Sequence, residues 1–235
     1  MNKNVKIVDL GLMPYRQAWN LQREIQGKIV ADKLEIRNGW REERTTSDYL
    51  LFVEHPHVYT LGKSGNAAHL LKATGELNEI DADYVEIDRG GDITYHGPGQ
   101  IVGYPILDLE NYFRDVHRYL RSLEEMIISV CSEYGIEAGR QTGLTGVWVG
   151  DRKVCAMGIR CSRWVTMHGF ALNVNTDLRY FDHIVPCGIK NKRVTSLSEL
   201  LGKEVAITEV KEKITRHFTS QFEVKITASD LADVM

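Results

Sequence analysis

The sequence predicts an α+β fold of mixed β-sheets flanked by helices. Three observations carry the prediction. One long segment near the middle of the chain has clear helical periodicity, several short apolar runs have strand length, and strands outnumber helices without alternating regularly with them. The regular strand–helix alternation of a doubly wound sheet is absent.

Taken in order, residues near Tyr15 to Asp32 place Ala18, Trp19, Ile25 and Ile29 at helical spacing. Tyr49-Leu50-Leu51-Phe52-Val53 and Val58-Tyr59-Thr60-Leu61 are apolar runs of strand length. Phe113 to Tyr134 is the strongest helix, with Phe113, Val116, Leu120, Leu123, Ile127 and Val130 on one face and Gly135 as a stop. Three strands follow: Gly146 to Val149, Lys153 to Ile159 and Thr166 to Val174. Ser196-Leu197-Ser198-Glu199 fits a capping box for a short helix ending at Gly202. Thr208 is the expected cap of a last helix that buries Val210, Ile214, Phe218 and Phe222.

Composition narrows the function classes. The 235 residues are 43% hydrophobic and 26% charged, a soluble globular balance. With 29 basic and 32 acidic residues, a formal net charge of −3 gives no bulk affinity for nucleic acid. The four cysteines form no Cys-x-x-Cys pair, so neither a disulfide framework nor a zinc site is expected. The amino terminus lacks a signal core, and no apolar run approaches the ~18 residues of a bilayer span. A cytoplasmic protein with reduced thiols and no membrane partner is expected. Only 5 prolines and no linker-like tract predict a single domain over 1–235.

The densest chemical stretch is Arg89-Gly90-Gly91-Asp92-Ile93-Thr94-Tyr95-His96-Gly97-Pro98-Gly99-Gln100. Its glycines let backbone approach a ligand closely. A tight hairpin around Gly97-Pro98-Gly99 accounts for the second half but not for Arg89-Gly90-Gly91 or His96, so the stretch reads as a ligand loop. Gly62-Lys63-Ser64 has the tail of a phosphate-binding loop, but the glycine required five residues earlier is His57.

Val185-Pro186-Cys187-Gly188-Ile189 sets a cysteine on a turn, where backbone amides can stabilise a thiolate or a tetrahedral oxyanion. A small buried thiol is the competing reading. Cys131 lies on the apolar helix face and belongs to the core; Cys155 and Cys161 read as structural. Lys153 is either a solvated hairpin residue or, partly desolvated beside a thiol, a group that takes the thiol proton or stabilises the thiolate. In Met167-His168-Gly169-Phe170-Ala171-Leu172-Asn173, His168 is a base, a substrate contact or a packed strand histidine. Gly169 and Ala171 leave room for an apolar chain, or else mark close sheet packing.

Together these segments resemble the octanoyltransferases of lipoate biosynthesis. The matching residues are Arg89 to Gln100, Gly146-Val147-Trp148-Val149-Gly150 with Lys153, His168 to Asn173, and Pro186-Cys187-Gly188-Ile189. Weaker similarity lies at Glu54-His55-Pro56, Tyr59-Thr60-Leu61-Gly62 and Thr195-Ser196-Leu197, so the motif-bearing part covers about 10–205 and the role of the remainder is open. The resemblance implies the fold of the biotin and lipoate protein ligase catalytic domains. It implies transfer of an octanoyl group from octanoyl-acyl carrier protein, through an enzyme thioester, to a lysine of the lipoyl domains of 2-oxoacid dehydrogenase E2 subunits and of the glycine cleavage H protein. By position Cys187 is the implied nucleophile and Lys153 its activator. Arg89, Gly90, Gly91, Asp92, Ile93, Thr94, Tyr95, His96, Ala156, Met157, Gly158, Gly169, Phe170 and Ala171 are the implied substrate contacts, with His168 in support. No cofactor or metal is implied.

The implied chemistry is sound. Thioester exchange matches bond types on both sides, and aminolysis of a thioester to an amide is downhill, so ATP is not needed. Acyl carrier proteins and lipoyl domains are typically acidic. Arg152, Arg160, Arg163, Lys190, Lys192 and Arg193 are either a local positive patch for them or ordinary solvated charges. Trp164 stands where the family has a smaller residue, so the adjoining loop is expected to pack differently. Three rival readings remain: an ATP-dependent lipoate or octanoate ligase, an amidotransferase between lipoyl domains, and an inactive acyl-protein binding module. Retention of Cys187 and Lys153 argues against the first and third.

Overall fold

The computed structural model describes residues 3–40, 46–185 and 193–233. Strand β1 (Asn4–Leu12) leads into helix α1 (Tyr15–Arg37), then β2 (Asp48–Glu54), β3 (Val58–Leu61), β4 (Asp83–Glu86), β5 (Ile93–His96) and β6 (Gln100–Ile106). Helix α2 (Val116–Glu133) is followed by β7 (Val147–Val149), β8 (Arg152–Ser162), β9 (Val165–Asn173), β10 (Arg193–Val194), α3 (Leu197–Leu201), α4 (Ile207–Phe222) and β11 (Lys225–Ala228).

The main sheet runs β10-β8-β9-β6-β2-β1-β11, with β7 paired to β8; the second sheet is β4-β3-β5. Both mix parallel and antiparallel pairs, as the α+β reading requires. Strand β2 is a continuous apolar run because both its faces are covered. Tyr49, Leu51 and Val53 pack with Ala18, Ile25 and Ile29 of α1, whereas Leu50 and Phe52 join the core under α2 and α4.

Helix α2 begins later than its periodicity suggests. Asp115 caps it by accepting the Arg118 N–H, which leaves Phe113 outside. Its buried stripe is Tyr119, Leu123, Met126, Ile127, Val130 and Cys131; Leu120 faces the cavity described below instead. Gly135 ends the helix region at φ +71°. The Ser196 hydroxyl caps α3 on Glu199 N–H, but the Glu199 carboxylate turns to the Thr195 hydroxyl, so the box is half formed. Thr208 is not a cap: α4 starts at Ile207 after Ala206, with no side-chain cap.

Two turns place the site. Gly97-Pro98-Gly99 does not close a hairpin; β5 belongs to the small sheet and β6 to the large one, so these residues carry the chain between sheets. Gly99 (φ +77°) lies so close to Asn175 that a Cβ would sit 2.7 Å from its carbonyl. The β8–β9 hairpin turns on Arg163 and Trp164, both at positive φ, and the Trp164 carbonyl accepts the Leu109 N–H at 2.8 Å.

Candidate active site

A cavity of about 640 Å³ opens between the Gly-rich loop of the small sheet and strands β8 and β9 of the large one. The loop supplies Arg89, Gly90, Gly91, Asp92, Ile93, Thr94 and His96; β8 supplies Lys153 and Ala156 to Ile159; β9 supplies His168, Gly169, Phe170, Ala171 and Asn173. Of the implied catalytic, substrate-contacting and supporting residues that are described, only Tyr95 lies off the cavity. Its hydroxyl meets His57 Nδ1 and its ring stacks on Tyr180. Pro186, Cys187, Gly188 and Ile189 lie outside the described residues, as do Lys190 and Lys192.

The loop is held by its own arginine. Arg89 is buried, and its guanidinium donates to the Thr60 carbonyl (2.8 Å) and hydroxyl (3.0 Å) and to the Gly90 carbonyl (3.1 Å). Gly90 N–H then donates to Ile159 O at 3.0 Å, tying the loop to β8. The contact is tight enough to require glycine on the strand: a Cβ at Gly158 would sit 2.9 Å from Gly90 O. Arg89 is thus chiefly the brace of the loop.

The cavity has two chemically different ends. Ile159 pairs with His168 in the β8–β9 register, six positions along β8 from Lys153, or about 20 Å at ~3.3 Å per residue. At the His168 end the polar groups are fixed. His168 stands at φ +61°, its N–H donates to Gln22 Oε1 (2.9 Å), and its Nε2–H donates to Asp88 (3.0 Å), which also pairs with Arg160. Its Nδ1 is buried without a partner among the described residues. Burial holds the His168 and His96 rings neutral, pushing both below the ordinary histidine range, with the Arg89 cation acting in the same sense.

At the other end Lys153 lies with Nζ 4.8 Å from the centre of the Trp148 ring, a cation–π contact. Gly146 packs on its stem: a Cβ there would lie 3.5 Å from Lys153 Cδ and 2.6 Å from Cys155 O. Gly143, Leu144 and Thr145 continue this wall, and Val194 of β10, paired with Lys153, completes it. Ser64 and His69 also line the cavity beside the Gly-rich loop: the Ser64 hydroxyl donates to Gly91 O at 3.1 Å and His69 Nδ1–H donates to Asp92 at 2.6 Å.

Sequence reasoning missed Tyr15, His69, Tyr104 and Phe181 as cavity residues, and took in Gln100 only as the end of the ligand loop. The Gln100 amide ties Tyr95 O to Asn173 Oδ1. The others come from distant elements and have no local mark. Among the described residues, no group of three or more His, Cys, Asp or Glu side chains is arranged to hold a metal ion. No helix among them is long and apolar enough to cross a membrane.

Comparison with known proteins agrees with this geometry. Residues 14–219 match the family model of the lipoyl protein ligase A/B catalytic domain. An octanoyltransferase of Flavobacterium johnsoniae is 58% identical over 96% of this chain and 100% of its own length. One of Christiangramia forsetii is 57% identical over 96% of this chain and 99% of its own. Among solved structures, a lipoate-protein ligase A bound with ATP superposes with a TM-score of 0.73 at 14% identity, covering 100% of this chain and 91% of that one, which shows the shared fold. The chain therefore belongs to the lipoyl protein ligase A/B catalytic domain family and, within it, to the octanoyltransferases, enzymes of the acyltransferase class.

Proposed function

We propose that this chain moves an octanoyl group from octanoyl-acyl carrier protein to the ε-amine of a lysine on a lipoyl domain, through a thioester on Cys187 activated by Lys153. The observation that carries the reading is how the described flanks of residues 186–192 are attached. On one side Val185 N–H donates to His69 O at 2.8 Å; on the other Arg193 and Val194 pair with Arg152 and Lys153, and Thr195 N–H donates to Lys153 O at 3.0 Å. Both flanks of the Pro-Cys-Gly-Ile motif are therefore fastened to walls of the cavity that holds the Gly-rich loop.

The other cysteines support the same choice. Burial pushes the Cys131 thiol up to about 12 and Cys155 well above its ordinary value, and it raises Cys161 as well. None of the three is a ready thiolate. The positive charge of Lys153, whose Nζ lies over Trp148, stabilises a neighbouring thiolate. The acyl chain then lies along β8 and β9 between the Gly-rich loop and Ala156 to Gly158 and Gly169 to Ala171, with His168 closing the far end. In this reading the chain acts as one catalytic unit, since β11 completes the main sheet beside β1.

Intact mass after incubation with octanoyl-acyl carrier protein, without ATP, tests the proposal. One octanoyl unit should be gained, be released by hydroxylamine and be absent in Cys187→Ala. Lys153→Ala should fold and load on the order of 10²-fold more slowly. No adduct, with acceptor acylation only when ATP and free octanoate are supplied, would establish the ligase reading instead. An adduct formed only from an octanoylated lipoyl domain would establish the amidotransferase.

A further inference from the structure

We propose that a groove between α1 and the β8–β9 hairpin is a binding site for a phosphoryl group, held by Arg23, Arg160 and Arg163. The groove has a volume of about 280 Å³, less than half that of the cavity described above. It is built wholly from residues 23–30 and 160–163, so it stands apart from the thioester reading. Folding divides the basic residues that cluster in the sequence. Arg152 and Arg193 pair in register between β8 and β10. Arg160 lies eight positions along β8 from Arg152, or about 26 Å at ~3.3 Å per residue, with Arg163 beyond it. There the two meet Arg23 of α1, which no local spacing connects with them.

Charge and shape both point to a compact anion. Three cations line the groove, and none of its lining residues is acidic. Asp88 pairs with Arg160, but it shares its carboxylate with His168. Arg23 has its Cζ 5.6 Å from the centre of the Trp19 ring, and neither Arg23 nor Arg163 forms an ion pair among the described residues. Like charges gathered in one place repel, and one shared carboxylate offsets only part of that; an anion in the groove offsets the rest. Arg160 and Ser162 alternate along β8, so their side chains leave the same face of the strand and meet α1 across the groove. Gly27 lines the α1 side, in the interior of the helix, where glycine is unfavourable. Nothing lies within 4 Å of the place its Cβ would take, so the missing side chain keeps the groove open. A carboxylate, with two oxygens in one plane, engages one guanidinium fork. A tetrahedral phosphoryl group presents oxygens to forks arriving from α1, from β8 and from the turn, and to the Ser162 hydroxyl as well.

The groove adjoins the larger cavity. Arg160 pairs with Asp88, Asp88 accepts His168 Nε2–H, and His168 lines the cavity. Two sources of the phosphoryl group follow from this position. One is inorganic phosphate. The other is a phosphate ester on a substrate that also enters the cavity, such as the pantetheine arm of a carrier protein.

Titration of the full chain with inorganic phosphate, followed by phosphorus NMR and calorimetry against chloride at equal ionic strength, tests this. Phosphate should bind saturably and chloride should not. Arg23→Ala and Arg163→Ala should each weaken binding on the order of tenfold, since each removes a charge-assisted hydrogen bond. Arg163→Lys, which keeps the charge but loses the fork, should weaken it by about threefold. Gly27→Leu keeps every charge and fills the groove, so it should abolish binding. Leucine is a strong helix former and the position is open, so this variant folds. Phosphopantetheine and pantetheine, tested the same way, separate the sources. Tighter binding of phosphopantetheine than of phosphate, with none by pantetheine, assigns the groove to the carrier's arm; equal affinity for the two phosphates assigns it to the inorganic ion. Binding that survives Gly27→Leu, or that Arg23→Ala and Arg163→Ala leave unchanged, overturns the site. Failure of phosphate to saturate, or equal binding of chloride, overturns it too.

Discussion

A methyl group added at Gly169 would stand 2.2 Å from the Gly103 carbonyl oxygen and 2.6 Å from Pro105 Cδ. The small residue in the His-Gly-Phe-Ala motif therefore does two jobs: it lines the cavity, and it lets β9 lie close on β6. Of the two readings open in the sequence, space for a chain and close sheet packing, the second holds at Gly169 whatever the ligand. Gly169→Ala should cost about 1–3 kcal/mol by overpacking, read as a fall of roughly 2–4 °C in Tm per kcal/mol. Gly27 makes the opposite case. It lies within α1 with nothing within 4 Å of where its Cβ would be, so Gly27→Ala should raise Tm through helix propensity worth about 1 kcal/mol. A destabilising Gly27→Ala, or a neutral Gly169→Ala, would contradict these contacts.

Among elements, α2 shows best what a linear pattern reveals and what it leaves out. Its apolar stripe was legible because helical periodicity records the face turned to the core. The charged residue in that face was not. Glu124 is fully buried, and its carboxylate accepts Gly146 N–H at 3.0 Å, Arg140 Nε at 2.9 Å and Arg121 at 2.6 Å. The clamp fixes the segment that carries Gly143 to Thr145 to the cavity wall and sets Gly146 against Lys153. Its partners arrive from other parts of the chain, so no local spacing announces them. Glu124→Ala should cost about 1–3 kcal/mol, because it leaves the buried Gly146 N–H without its acceptor, while Arg121 and Arg140 can turn to solvent. Where the variant stays folded, slower loading from octanoyl-acyl carrier protein is expected as the wall loosens. Loading at the wild-type rate would show that the wall does not depend on the clamp. The Gly97-Pro98-Gly99 turn was misread for a related reason: glycine and proline specify a change of direction, but not which sheet receives the next strand.

At the scale of the whole molecule, the α+β class and the order of site segments were legible because each segment carries its own periodicity or glycine pattern. The convergence of two sheets on one cavity, and the neutral histidines it buries, arise only from folding. Those histidines make stability depend on pH. Burial pushes His55 down to about 4 and His96 further, while in the unfolded chain each titrates near the ordinary value of about 6.5. Below about pH 6.5 the unfolded state therefore binds protons the folded state refuses. Stability falls as pH falls, by up to ~1.4 kcal/mol per pH unit for each such group, until the folded pKa is reached. Asp48 works the other way. Burial raises its carboxyl to about 7, so between about pH 7 and 4 the folded state holds a proton that the unfolded chain releases, and acid favours the fold. His55, His96 and the similarly depressed His168 outnumber it. The urea midpoint should fall between pH 6.5 and 4.5 in the wild type, and fall more steeply in Asp48→Asn, which keeps the shape of the neutral acid and removes the opposing titration. A flat profile in Asp48→Asn would mean that the buried histidines take up protons in the folded protein, and that the interior tolerates positive charge beside Arg89.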